Sequence, residues 1–235
     1  MNWQIAEALA MKGWLETRWR LIPLIFWPAL VIVMNYHGRY SPPAARNVLL
    51  WMGVVFSCLT LLLAGSGVKS QAPTHLSFPE GLAGSTQFTI SLPVSRALLI
   101  MFRAGFGLLQ LYAATLITAF IVWQAFPSIS GTVALADFVR LIVAFVLWLS
   151  LPYCAGVLSQ AFLVEPLSGF PVSYGLTLLL WLLHKISPAV DVVRAFGAES
   201  PLVTHRLPVS QLTTGVLLAV SLLLVTVWAV QKREY

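Results

Sequence analysis

From Val209 to Val230 the chain carries no charged residue, and five earlier apolar stretches are nearly as bare of charge. Crossing about 30 Å of hydrocarbon takes about 20 residues of helix, so stretches of this length read as spans rather than as a globular core. Composition agrees. Of 235 residues, 59% are hydrophobic and 9% are charged, against about 25% charged in ordinary soluble domains. The ten-residue alternation of an outer-membrane barrel is absent. The sequence therefore predicts an all-α integral membrane protein.

Six spans follow from a walk along the chain: about Leu21 to Tyr36, Val48 to Ala64, Ala97 to Phe126, Ala134 to Val157, Val172 to Ile186 and Val209 to Val230. Together they form one transmembrane domain over residues 1–235. Orientation comes from Lys and Arg in the flanks. With the N-terminus in the cytoplasm, the inner side receives Lys12, Arg18, Arg20, Lys69, Arg96, Lys232 and Arg233. The outer side receives the smaller share, Arg39, Arg46, Lys185, Arg194 and Arg206. The bias favours N-in, C-in.

The net charge of +6 suits an anionic lipid surface. No basic run interleaved with aromatics points to nucleic acid. Cys58 and Cys154 both fall in spans, without a CxxC partner, and read as structural thiols. Residues 1–20 lack the apolar core and small-residue end of a cleavable leader. Lys12, Glu16 and Arg20 instead share one line of a helical wheel, with Trp3, Ala6, Ala10 and Trp14 roughly opposite and Ile5 and Leu9 nearer the charges. Such a segment reads as a helix lying in the interface plane, turning into the bilayer at Pro23.

The longest cytoplasmic segment is 65–96. Its Gly65-Ser66-Gly67-Val68-Lys69-Ser70 approaches a phosphate-binding loop and fails, because that loop needs glycine where Val68 stands. No nucleotide-hydrolysing site is expected in this chain. Further on, Pro79 and Pro93 bracket room for a short surface helix, with Pro93 ending it or starting the next. The stretch closes on Thr89-Ile90-Ser91-Leu92-Pro93-Val94-Ser95-Arg96. Arg96 would snorkel to the headgroups, as an interfacial anchor or as a partner contact.

Leu92-Pro93-Val94-Ser95-Arg96 before an apolar helix resembles the "LPvsR" signature of the ABC transporter type-2 permease family, where it closes the cytoplasmic loop between spans two and three. Other landmarks follow in order. Glu16-Thr17-Arg18-Trp19-Arg20 resembles the charged elbow before the first span, and Leu151-Pro152-Tyr153 the small-and-proline region of the fourth. Ile186-Ser187-Pro188 resembles the opening of the external segment, and Gln231-Lys232-Arg233-Glu234 the basic ending.

The resemblance implies the type-2 ABC permease fold, N-in and C-in, with an elbow helix over 1–20, a coupling loop over 65–96 and an external gate over 187–208. It implies a subunit without catalysis of its own in a multi-pass, bacterial cytoplasmic membrane complex. The partners would be two ATPase subunits, which hold the ATP and magnesium, and a second permease chain, identical or homologous. This chain would bind no cofactor and no metal. Phe78, Glu80, Thr89, Pro93 and Arg96 are the candidates for contact with the ATPase. The favoured direction is export.

Charges inside spans are costly and mark function. Arg103 lies about two turns into the third span and would face the bundle or a wet cavity. Asp137 and Arg140, at i and i+3, can pair with each other. His184 and Lys185 end the fifth span at the interface. Gly105, Gly107, Ala113 and Ala114 suggest a packing seam on the third span. Residues 189–196 suit a short amphipathic helix dipping into the outer leaflet, stopped by Gly197. A secondary transporter or channel is the first alternative, but it would want intramembrane carboxylates or an internal repeat. An intramembrane enzyme or assembly factor is the second, and would want a cluster at one face, whereas His37, His75, His184 and His205 are scattered. Nine tryptophans and thirteen phenylalanines suit amphipathic cargo and lipid contact equally.

Overall fold

Ser95 opens the first long helix. Its backbone carbonyl accepts from the Leu99 amide at 3.0 Å, and its hydroxyl accepts from the Leu98 amide at 3.3 Å. This is an N-cap, satisfying a donor that the first turn leaves open. The computed structural model describes residues 7–11, 14, 18, 22, 26, 95–125, 130–131, 133–162, 175, 179, 182, 187, 192–196 and 199–232. Among them the helices are α1 (Arg96–Ala125), α2 (Leu135–Phe162), α3 (Val192–Phe196), α4 (Pro201–Thr204) and α5 (Val209–Lys232). There is no strand among the described residues.

Three of these helices are long and apolar enough to cross a membrane: Ala97–Gln124 within α1, Leu135–Leu158 within α2, and α5. They correspond to the third, fourth and sixth expected spans. Of the first expected span Ile22 and Phe26 are described and are helical, and of the fifth Gly175, Leu179 and Leu182. The rest of those two spans, and all of the second, lie outside the described residues. So do Pro23 and the residues of the expected loop from 65 to 94.

α2 is the central element. In its most apolar window 78% of the residues are buried, against 28% in α5, and its contact with α5 is the most extensive between helices. α1 runs antiparallel to it. Trp123 near the end of α1 meets Phe138 near the start of α2, with ring centroids 4.8 Å apart. Lower down, Tyr112 meets Ser150 and Gly107 meets Tyr153. α5 runs parallel to α2, since Gly215 lies against Trp148 and the start of α5 is tied to the start of α2. Ile100 at the start of α1 packs with Val227 and Val230 at the end of α5.

Helices in lipid are held by close van der Waals approach rather than by a hydrophobic drive. The facing residues suit that. α1 buries Ala104, Gly107, Leu111, Ala114, Thr118 and Val122, and α5 buries Gly215, Ala219 and Ala229. Of the expected seam, Gly107 and Ala114 are on the buried face, whereas Gly105 and Ala113 are exposed. Two positions apart on a helix is about 200°, so Gly105 and Gly107 cannot share one seam. Hydroxyls inside the bundle are satisfied locally: Thr115 donates to the Leu111 carbonyl at 2.8 Å, and Thr118 to that of Ala114 at 2.9 Å.

In the N-terminal segment residues 7–11 are helical. Leu9, expected nearer the charged side, is the buried residue there, while Trp14 is exposed. Exposure of Trp14 agrees with a ring turned to the interface, and the protein itself takes up Leu9.

Candidate functional site

A cluster of described polar side chains lies at the end of the bundle where α2 and α5 both begin. Asp137 stands in the first turn of α2, where a carboxylate complements the positive end of the helix. Its side chain is 8% exposed. Arg140 Nη1 donates to Asp137 Oδ1 at 2.6 Å, and His205 Nδ1 lies 2.6 Å from Oδ2. The i and i+3 pairing read from sequence is therefore present. It is half of a larger arrangement.

The other half comes from residues 192–208, which turn back into the bundle. The Phe196 ring at the end of α3 stacks on Phe145 at 4.6 Å and tilts against Trp148 at 6.2 Å. Those partners lie well inside α2, so α3 dips below the level of Asp137. Of the short helix expected over 189–196, Val192–Phe196 is described and is helical. Ala195 beside it is completely buried.

A second polar link holds the way back out. Arg194 Nε donates to Glu199 Oε1 at 2.9 Å, and the buried Gln211 of α5 donates from Nε2 to Glu199 Oε2. Gln211 Oε1 accepts from Ser210 at 2.7 Å. α4 then forms a single capped turn. Ser200 accepts from the Leu202 amide at 3.4 Å, and Pro201 occupies the first helical position, where its missing N–H costs nothing. His205 closes the turn in the left-handed conformation, at φ 55° and ψ 22°, with its N–H bonded to the Pro201 carbonyl at 3.1 Å. Glycine takes that role in most helix ends. Here a histidine takes it, and the same residue reaches Asp137.

The result is a segment fixed at two points, to α2 through Asp137–His205 and to α5 through Glu199–Gln211. Among the described residues no three His, Cys, Asp or Glu side chains gather as a metal ion would need. The segment's contacts hold residues 199–208 against the shared end of α2 and α5.

Of the residues singled out from sequence, Phe78, Glu80, Thr89 and Pro93 lie outside the described residues. Arg96 is the first residue of α1, at the end of the bundle away from Asp137. Arg103 lies within the span, half-buried, with its Nη2 atom shielded. Asp137 and Arg140 were visible as a pair. His205 and Glu199 were not, because their partners lie far away in sequence. A comparison with known family models, curated proteins and solved structures finds no match for this chain.

Proposed function

We propose that the chain is the membrane subunit of an ATP-driven transporter of the type-2 ABC permease kind, working as an exporter with a second permease chain and two separate ATPase subunits. The observation that carries this reading is the segment 192–208. It dips between parallel α2 and α5 at the end opposite Arg96, where the resemblance implies an external gate. The LPvsR stretch would lie on the cytoplasmic face and the gate on the outer one, about 45 Å apart along a 30-residue helix.

The parallel run of α2 and α5 supports the remaining topology. The chain leaves α2 at Phe162, at one end, and has returned to the other end by Val192. A fifth span, to which helical Gly175, Leu179 and Leu182 would belong, supplies that return. On this reading the chain has six spans with both termini inside, in a bacterial cytoplasmic membrane. Closure of the ATPase dimer would pull on the loop through Phe78, Glu80, Thr89, Pro93 and Arg96, and the spans would switch between two packings.

Affinity purification of the full chain from its own cells tests the proposal. An ATPase should accompany it, and Arg96→Glu combined with Pro93→Ala should release that ATPase while the membrane chain remains folded. Absence of any ATPase, together with transport in vesicles that is indifferent to ATP, overturns it.

A further inference from the structure

We infer that α2 bends at Pro152, about a pivot made by α1, and that Tyr112 and Gly107 of α1 together hold the bend closed. Pro152 stands inside a continuous 28-residue helix. It has no N–H, so the carbonyl of Trp148 loses its helical partner there, and the ring crowds that carbonyl. Two neighbours weaken the same turns. Ser150 directs its hydroxyl back to the Val146 carbonyl at 3.5 Å, a contact that tends to bend helices. Gly156 follows one turn later.

The proline divides the partners of α2. Before it, Asp137, Phe145 and Trp148 are tied to the dipping segment and to α5. α1 meets that earlier part at Phe138 through Trp123, and beside the proline two further residues grip it. Tyr112 shares a hydrogen bond between hydroxyls with Ser150. On the other side of the proline, the Tyr153 ring fills the space left by the missing side chain of Gly107. A Cβ there would come within 2.9 Å of Tyr153 Cζ and closer still to its hydroxyl. Tyr153 is 2% exposed, so the socket is full. The two grips therefore flank Pro152 from the side of α1. Releasing them frees the inner part of α2 to swing while its outer part stays docked on α5.

Cys154, buried at 2% exposure directly after Tyr153, reports the bend. The bend is a property of this chain alone, so its test needs no ATPase and its outcome is independent of the transporter reading. The full chain with Cys58→Ser keeps Cys154 as its one thiol. It is placed in lipid nanodiscs and alkylated with N-ethylmaleimide, a small reagent that enters lipid. Pro152→Ala, which restores the backbone bond, should slow alkylation about fivefold. Tyr112→Phe, which keeps the ring and removes only the hydroxyl bond, should speed it by about the same factor. Gly107→Ala should speed it as well. The opposite signs distinguish a hinge from general loosening, under which every variant would react faster. Pro152→Ala reacting as fast as the parent or faster overturns the inference, as does Tyr112→Phe reacting no faster. Tyr112→Phe keeps the test decisive should Gly107→Ala fail to fold.

Discussion

The carboxylate of Asp137 holds the imidazole of His205 at 2.6 Å across 68 positions of sequence, joining the first turn of one span to the approach of another. The same carboxylate takes Arg140 on its other oxygen. Both contacts depend on one buried anion, so a single change at Asp137 removes both.

Asp137→Asn keeps the shape and removes the charge from both contacts. In nanodiscs, trypsin should cut after the exposed Arg206 roughly threefold faster than in the parent, because cleavage follows the population of the opened segment. Arg140→Ala, which leaves Asp137–His205 in place, should change the rate less. Equal rates in all three chains would mean that the pair does not restrain the segment.

His205 carries two burdens that substitution separates. His205→Gly loses the imidazole and relieves the left-handed backbone, whereas His205→Ala loses the imidazole and keeps the strain. Thermal or denaturant unfolding should find the alanine variant less stable than the glycine variant by about 1 kcal/mol. The reverse order would mean that the left-handed turn is not retained.

Gly105 and Gly107 are two residues apart and should respond in opposite ways to alanine. At Gly107 the added methyl meets Tyr153, and overpacking costs about 1–3 kcal/mol. At Gly105 nothing lies within 4 Å, and alanine should be neutral or stabilising by up to about 1 kcal/mol from helix propensity. Unfolding in mixed detergent micelles measures both.

Gln211→Ala removes the donor that α5 gives to Glu199, and Gln211 itself is buried. Stability should fall by about 1–3 kcal/mol, the cost of leaving such a group without its partner. Glu199 keeps Arg194, so a chain with Arg194→Ala as well should lose more than the sum of the single losses.

At the other end, Ser95→Ala removes the cap of α1 and should cost about 0.5–1 kcal/mol, while Ser95→Asp restores it. Under the transporter reading the alanine variant also weakens the stimulation of ATPase activity by the membrane chain, measured in vesicles.

The long spans could be read from sequence because lipid imposes a length and removes charge, and both are visible in a string of letters. The expected start near Ala97 and the observed one at Arg96 differ by a single residue. From sequence Pro93 either ends the surface helix or starts the next one, and the capping bonds of α1 come from Ser95. α2 continues to Phe162, past the expected end at Val157, because a helix need not stop where hydrocarbon stops and no glycine or proline intervenes. Asp137 and Arg140 were legible because one turn of helix brings them together. His205 was not, since nothing local connects residue 205 to residue 137. The seam divided for a similar reason. Small residues can be counted from sequence, but which of them face inward depends on where the neighbouring helices stand.

The hydroxyls of α5 carry a further consequence. Thr213, Thr214, Ser221 and Thr226 each donate to a carbonyl of their own helix, at 2.7–2.9 Å. With those protons engaged inside the helix, the shaft of α5 lies against α2 through smooth apolar contact, while Gln211 near its top is held to Glu199. A rod keyed at one end and slick along its length turns as one piece. Torque applied at the end near Trp228 would arrive at Gln211 undivided.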